Sequence, residues 1–178
     1  MNTTAPIMQQ QELTSKCNNN CSFCYNPERC AGGLFQPRKE DIEMNLEIAK
    51  ISIGQGVMAI CPTGGEPLLL RDHLFEILKI YKQAGCYTSI NSNGRLITEE
   101  AAREFSLIGL NSALISIHGI NELHNEMVGD KKAFFETWQG IINLRKAKIN
   151  VIPNFVATAK NIHGLVEVGE ALAKLNIL

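Results

Sequence analysis

Three cysteines fall within eight residues near the start of the chain, in the sequence CNNNCSFC. They are Cys17, Cys21 and Cys24, and Cys30 follows six residues later. Thiolates are soft ligands that select zinc, copper(I) or iron–sulfur clusters over hard cations. A structural zinc site closes with four protein ligands, whereas three cysteines on a 4Fe-4S cluster leave one iron open to bind another molecule. The three-cysteine spacing therefore predicts a metal or cluster site in this stretch.

Two other interpretations of these cysteines stay open at this stage. Two of them could pair as a disulfide, or Cys30 could close a non-catalytic zinc-binding module with Cys17, Cys21 and Cys24. The opening residues MNTTAPIMQQQ lack the basic and apolar regions of a secretory signal, so we expect a cytoplasmic protein, where disulfides are rare. The chain has no second CxxC pair and no Cys/His pair at zinc-ribbon spacing, which disfavours the zinc module.

A second group with chemical potential is the sequence TGGEP, which begins at Thr63, about 40 residues after the cysteines. Gly64 and Gly65 allow a ligand to approach the backbone without a Cβ in the way. The carboxylate of Glu66 can accept hydrogen bonds from an ammonium or hydroxyl group. A Gly-Gly turn alone usually has only a structural role, so TGGEP indicates a binding site only in combination with the cysteine motif.

The elements that must position these residues follow from the hydrophobic pattern. Short extended runs alternate with longer segments of helical spacing, which is typical of consecutive parallel β-α units. From the second strand onward the strands begin about 26 to 38 residues apart, and right-handed crossovers wind such units the same way. We therefore predict an α/β fold, a partial (βα) barrel of five βα units. The predicted strands are residues 7–14, 56–61, 86–91, 112–117 and 150–157.

Five helices are predicted between and after these strands. Gly85 is expected to end the second helix, while Thr98 caps the start of the third and Gly109 ends it. In parallel β-α architectures ligands bind at the carboxyl ends of the strands, where the cysteines and TGGEP both fall. The apolar stripes that define the helices are Ile42, Leu46, Ala49 and Ile53; Leu74, Ile77, Leu78 and Tyr81; Ala101, Phe105 and Ile108; Phe134, Trp138, Ile141 and Ile142; Leu165, Val168, Leu172 and Leu175.

The composition is that of an ordinary globule. Of 178 residues, 45% are hydrophobic, 17 are basic and 18 are acidic, which predicts one domain over residues 1–178 and no basic nucleic-acid surface. No apolar run approaches the roughly 20 residues of a bilayer span, so no membrane association is expected. Residues 176–178 look like the opening of a sixth strand. We therefore expect the domain to be truncated at its C-terminus, with an exposed sheet edge.

The two motifs together resemble those of the radical S-adenosylmethionine (radical SAM) enzymes. The resemblance extends along the chain through SNG at residues 92–94 and SIHG at residues 116–119, each at the end of a predicted strand. SIHG, then HNEMVG at residues 124–129 and NFVAT at residues 154–158, look most like the SPASM-like branch that modifies peptides or proteins. This chain departs from that branch at His118, where many members carry Asp, and at Val128, where they carry an Arg that helps to bind the cofactor carboxylate.

The resemblance implies a set of cofactors and residue roles. A 4Fe-4S cluster would bind S-adenosylmethionine through its open iron, and a small flavodoxin- or ferredoxin-like protein would supply the electron. Reductive cleavage would give a 5′-deoxyadenosyl radical that removes a hydrogen atom from a peptide or small organic substrate. The implied residues are Cys17, Cys21 and Cys24 for the cluster; Gly64, Gly65 and Glu66 for the methionyl ammonium; Phe23 beside the adenine; and Asn93 and Ser116 in the cofactor pocket.

Two further cysteines are predicted to be small buried hydrophobic residues. Cys86 lies beside an apolar run, and so does Cys61 at the end of the second predicted strand. For Cys61 a second interpretation stays open, in which its thiol points into the barrel lumen and faces the substrate.

Overall fold

A computed structural model describes residues 6–25 and 39–177 of the chain. Over these residues it contains one sheet of five parallel strands in the order β1-β2-β3-β4-β5. The strands are β1 (Met8–Thr14), β2 (Ala59–Gly64), β3 (Tyr87–Ser92), β4 (Ser112–Ser116) and β5 (Asn150–Asn154). The helices are α1 (Lys39–Gly54), α2 (Arg71–Gln83), α3 (Glu99–Ile108), α4 (Glu122–Val128), α5 (Ala133–Lys146) and α6 (Leu165–Ala173), with 3-10 turns at Pro67–Leu70 and Ile162–Gly164.

Each strand pairs in parallel with the one that precedes it along the chain. Right-handed crossovers between such neighbours place all the connecting helices on one face of the sheet, which curves as a partial barrel. The α/β fold with five βα units is therefore confirmed. Within the described helices, none combines the length and the apolar character that a bilayer crossing requires.

The predicted bounds of β2 were wrong by three residues. Gly56 has a φ of 89°, in the left-handed region, and its N–H donates to Ile53 O, so it belongs to the turn that ends α1. As a consequence β2 runs on to Gly64, and the first two residues of TGGEP belong to the strand rather than to the loop after it. The strand predicted over residues 150–157 ends early, at Asn154.

The sixth strand expected at residues 176–178 is not seen in the described part of this segment. Asn176 has a φ of 53°, and the N–H of Ile177 donates to Leu172 O. These features form a turn that closes α6. Leu178 lies outside the described residues.

The main core lies between the sheet and the helices. It includes Ile60, Ile90 and Ile115 from the strands, which pack with the helix stripe that the sequence predicts for α2. In the predicted stripe of α5, Ile141 is buried in this core, whereas Phe134 and Trp138 pack against it only partly buried and stack on each other at 5.6 Å between ring centroids. The buried face of α5 is formed by Ala133, Thr137, Gly140, Ile141, Asn143 and Leu144.

Helix termini follow the predicted capping residues. The hydroxyl of Thr98 accepts a hydrogen bond from Ala101 N at 3.1 Å, and Gly109 ends α3 with a φ of 79°. Gly85 ends α2 in the same way, with Cys86 N donating to Tyr81 O. Cys86 is buried in the core as predicted, with its sulfur 3.3 Å from Val57 O.

Candidate functional site

The three clustered cysteines lie in residues 15–25, here called the cysteine loop, directly after β1 at the carboxyl edge of the sheet. All three are partly buried, and Cys24 N donates to Cys21 O in a tight turn. The sulfur of Cys17 accepts hydrogen bonds from Asn19 N at 3.4 Å and from Asn93 Nδ2 at 3.9 Å. Burial raises the pKa of the Cys17 thiol, so a cation or hydrogen-bond donors are needed to favour its thiolate.

No three Cys, His, Asp or Glu side chains within residues 6–25 and 39–177 converge as ligands of one metal ion. The three described cysteines alone therefore do not form a single-ion zinc site. A 4Fe-4S cluster offers a separate iron to each cysteine, so its thiolates need not converge on one point. Cys30, the fourth ligand of the zinc alternative, lies outside the described residues.

The TGGEP turn is in direct contact with the start of the cysteine loop. Gly65 N donates to Thr14 O at 2.7 Å, and Glu66 N donates to Lys16 O at 2.6 Å. A Cβ added at Gly64 would overlap Thr14 O, and one added at Gly65 would overlap Lys16 O. Only glycine allows this approach of two backbones.

The carboxylate of Glu66 is completely buried beside this turn. One oxygen accepts from Leu68 N at 3.1 Å and Ser92 Oγ at 2.9 Å, and the other accepts from Asn93 N at 2.8 Å. Burial raises the pKa of Glu66 to about 7 despite these hydrogen bonds. A cationic ligand at this carboxylate would favour its ionised form.

Asn93 joins the end of β3 to the cysteine loop. Its Nδ2 donates to Asn18 Oδ1 at 2.6 Å as well as to the Cys17 sulfur, and its carbonyl oxygen accepts from Thr137 Oγ1 at 2.8 Å. Ser116 ends β4, opposite Asn154 of β5, and adds no hydrogen bond to this network. The structure thus brings Glu66 and Asn93 against the cysteine loop and leaves Ser116 two strands away from Glu66.

Helix α4, which the sequence analysis did not predict, packs against the other side of the cysteine loop. Asn20 N donates to Val128 O at 2.8 Å, and Ser22 N donates to Met127 O at 3.2 Å. Cys21 and Phe23 pack on Met127, Val128 and Ala133. The side chain of Val128 is buried in this small core. Residue 128, where the resemblance leads us to expect an arginine, therefore packs the cysteine loop here.

Two buried histidines lie beside Phe23. The ring of Phe23 meets His118 edge-on at 4.7 Å between centroids, and His118 stacks on His124 at 5.9 Å. Each Nδ1 accepts a backbone N–H, from Val156 at 3.2 Å for His118 and from His118 itself at 3.0 Å for His124. Burial lowers the pKa to about 4 for His118 and to about 3 for His124. Both imidazoles are therefore neutral at pH 7 and carry their proton on Nε2.

The sheet face opposite the helices, here called the inner face, is polar and nearly uncharged. Alternate strand residues pair across it in register, as Ser89 does with Ser112 and Asn91 with Leu114. From β2 to β5 these rows contain no charged side chain; β1 contributes Glu12, which accepts a hydrogen bond from Tyr25. Cys61 is a buried residue of this face, beside Ser89.

One contact that the sequence analysis missed is made by Arg95. This residue follows the SNG motif and donates hydrogen bonds both to the cysteine loop and to two carboxylates on other elements. Its only sequence signal is a basic residue directly after a strand-end motif. Its partners lie far away along the chain, so no local pattern indicates them.

The fold and this site define a family. The model of the Radical SAM superfamily matches residues 12–168. The chain therefore belongs to the radical SAM superfamily.

Individual relatives agree with this assignment. The AdoMet-dependent heme synthase of Methanosarcina barkeri is 30% identical over 175 residues, which are 97% of this chain and 49% of that protein. The sporulation killing factor maturation protein SkfB of Bacillus subtilis is 31% identical over 170 residues, 94% of this chain and 40% of SkfB. The chain thus spans about half the length of the curated relatives it matches.

A solved structure shows the same fold. Native anSMEcpe with bound AdoMet and the Cp18Cys peptide superposes with a TM-score of 0.75 at 22% identity, over 97% of this chain and 49% of that one. Identity at this level supports the fold, and the roles of individual residues must come from the site itself.

Proposed function

We propose that this chain is the core of a radical SAM enzyme, with Cys17, Cys21 and Cys24 holding a 4Fe-4S cluster. When bound, the cluster and S-adenosylmethionine supply a 5′-deoxyadenosyl radical that abstracts a hydrogen atom from an organic substrate. The observation that carries this proposal is the contact between the TGGEP turn and the cysteine loop. It puts a Cβ-free stretch of backbone and a buried carboxylate against the start of the loop that carries the three thiols.

The chemistry of these groups fits the amino acid part of the cofactor. Three hydrogen-bond donors hold the Glu66 carboxylate in place, and burial raises its pKa. A bound ammonium group would stabilise the ionised form of this carboxylate and could donate a hydrogen bond to it. We assign Gly64, Gly65 and Glu66 to the methionyl ammonium. The cofactor carboxylate must use donors other than residue 128, because Val128 is buried in packing.

The nucleoside end of the cofactor is assigned to the neighbourhood of Phe23. Its ring is fixed by His118 on one side and by the small core around Val128 on the other. We propose that Phe23 lies beside the adenine and that Asn93 and Ser116 line the pocket at the ends of β3 and β4. Asn93 has a second role in this proposal, because its amide holds the cysteine loop.

The inner face favours a neutral polar substrate. Hydroxyl and amide side chains on β2 to β5 suit the amides of a peptide or the polar groups of a small organic molecule, and they offer no cation to a phosphate. The superposition on a peptide-bound enzyme is consistent with this. We propose a peptide or small organic substrate, a flavodoxin- or ferredoxin-like electron donor, a cytoplasmic location and a single domain over residues 1–178.

Anaerobic reconstitution with iron and sulfide, followed by reduction and addition of S-adenosylmethionine, tests this function. We expect 5′-deoxyadenosine from the wild type and from Cys86→Ala, because Cys86 is a core residue away from the loop. Cys24→Ala should form none. Wild-type formation no higher than that of Cys24→Ala would contradict the proposal.

Metal analysis distinguishes the proposed 4Fe-4S cluster from the zinc-binding alternative. About one zinc per colourless chain, with the metal lost in Cys30→Ala, would support a closed zinc module. A brown protein with about four irons per chain that is indifferent to Cys30→Ala would reject it.

A further inference from the structure

Arg95 is a buried arginine that connects the cysteine loop to two acidic side chains. Its side chain is 8% exposed. Nη1 donates to Asn18 O at 2.7 Å and to Asn19 Oδ1 at 2.8 Å. Nε donates to Glu136 Oε2 at 2.6 Å, and Nη2 donates to Asp130 Oδ2 at 2.9 Å. The planar fork of a guanidinium is the one side chain that can make this set of bonds at once.

These bonds bring together three parts of the chain. Arg95 follows β3, Asp130 lies in the turn before α5, and Glu136 is on α5 itself. A buried charge is tolerated where it is paired and hydrogen-bonded, and here two carboxylates pair with the guanidinium while four of its five N–H groups donate hydrogen bonds. The guanidinium therefore fixes the cysteine loop relative to the helix that packs over the end of β3.

The two asparagines that Arg95 contacts flank the sulfur of Cys17. Asn19 donates its backbone N–H to the Cys17 sulfur. The side-chain amide of Asn93 donates both to the Cys17 sulfur and to Asn18 Oδ1. The Asn19 donor is therefore bonded to the guanidinium directly, and the Asn93 donor is linked to it through Asn18. Hydrogen bonds to the sulfur ligands and nearby positive charge both favour the more negative, reduced state of an iron–sulfur cluster.

We propose that Arg95 is a positioning residue that holds the amide donors on Cys17 and thereby raises the reduction potential of the cluster. This inference rests on the proposed function, because it requires a cluster on the three cysteines. In this proposal Asp130 and Glu136 hold the guanidinium in place, while their negative charge lowers the reduction potential of the cluster.

Arg71 offers a matched control. Its guanidinium also bridges two carboxylates, Glu100 and Glu104, each at 3.2 Å. Its bonds join α2 to α3 on the outer side of the sheet, and its side chain is 34% exposed. Arg71→Met therefore removes the same kind of ion-pair bridge without loosening the cysteine loop.

The test is a redox titration of reconstituted protein followed by electron paramagnetic resonance, with iron counted per chain. At one applied potential, Arg95→Met should lower the ratio of reduced to oxidised cluster about tenfold, which is 59 mV for one electron. Arg71→Met should stay within about twofold of the wild type. The double variant Asp130→Asn/Glu136→Gln should shift the ratio upward, because it removes negative charge and keeps the guanidinium.

Equal ratios in Arg95→Met and Arg71→Met would overturn the inference, and so would a fall in the double variant as large as that in Arg95→Met. Where Arg95→Met fails to fold by circular dichroism, Arg95→Lys replaces it, and a ratio in Arg95→Lys equal to that of the wild type would overturn the inference. A wild-type protein that takes up no iron would instead contradict the proposed function.

Discussion

The two edges of the sheet use glycine for different physical reasons. At the carboxyl edge, Gly64 and Gly65 lie so close to Thr14 and Lys16 that any Cβ would overlap backbone atoms. At the amino edge, Gly85 ends α2 with a φ of 80° and has open space around it. Gly65 is needed for the approach of two chain segments, and Gly64 both for that approach and for its own φ of 143°. Gly85 is needed only for its own backbone conformation.

The two edges of the sheet also differ in whether their hydrogen bonds connect separate segments of the chain or lie within one turn. At the carboxyl edge Glu66, Asn93 and Arg95 each join separate segments of the chain. At the amino edge the turn after α2 is closed by its own helix, with Gly85 N bonded to Lys82 O. A change at the carboxyl edge should therefore disturb several loops together, whereas a change at the amino edge should stay local.

The largest effect is expected for Gly65→Ala. Its Cβ would overlap the Lys16 carbonyl, so the cysteine loop or the TGGEP turn must move. We expect a loss of about 3 kcal/mol in the free energy of unfolding, together with loss of iron loading. Urea unfolding and iron analysis measure the two effects. A variant with wild-type stability and full iron content would show that the two segments are not in this contact.

The next effect concerns pH and the two histidines at the carboxyl edge. Both have a folded-state pKa below the unfolded value of about 6.5, so below that pH the unfolded chain binds protons that the folded chain excludes. Their contribution to stability is complete above pH 6.5 and is lost as pH falls toward about 4 for His118 and about 3 for His124. At pH 5 each of the two histidines should lower the free energy of unfolding by about 2 kcal/mol relative to pH 7.

Urea unfolding between pH 7 and pH 5 checks this prediction with matched variants. His124→Asn keeps a side-chain acceptor for His118 N and should show a smaller loss of stability on acidification than the wild type. His163→Asn makes the same substitution at an exposed histidine and serves as the matched control. Identical slopes in the wild type and His124→Asn would contradict the buried, neutral imidazole.

A smaller, local effect is expected at Gly85. Alanine there meets no neighbouring atom but must adopt a left-handed backbone conformation, which costs about 1 kcal/mol. Thermal unfolding should show this loss while iron loading stays at the wild-type level. Loss of iron from Gly85→Ala would mean that the two edges of the sheet are coupled, contrary to this prediction.

The smallest effect has the opposite sign. Gly169 lies inside α6 with nothing within 4 Å of an added Cβ. Alanine should raise the free energy of unfolding by about 0.5 to 1 kcal/mol, because glycine is a poor helix former. Gly169→Ala also serves as the control for Gly65→Ala, since the same substitution should change sign between the two places.

Much of the fold follows from local pattern. The starts of β1, β3, β4 and β5 lie within one residue of their predicted positions, because periodicity and the turn residues agree there. Two local signals misled the prediction. Gly56 was counted as strand although it ends α1, and HNEMVG gave no sign of α4 because that helix is short.

The site was predictable to the extent that it depends on topology. Parallel strands bring their carboxyl ends together, so the cysteines and TGGEP had to share one edge, and they touch there. The residues that Arg95 contacts lie 35 to 77 residues away from it in the sequence. The burial of Val128 likewise depends on contacts between separate segments of the chain. They arise only when tertiary packing places α4 and α5 against the cysteine loop.

The central claim is that three cysteines leave one iron open toward the TGGEP turn. Electron paramagnetic resonance of the reduced, reconstituted protein with and without S-adenosylmethionine tests it most directly. We predict that the g values change when S-adenosylmethionine is added, in the wild type and in Cys30→Ala alike, because the open iron gains new ligands. A spectrum that is unchanged by the nucleoside, or a cluster that disappears in Cys30→Ala, would contradict the account.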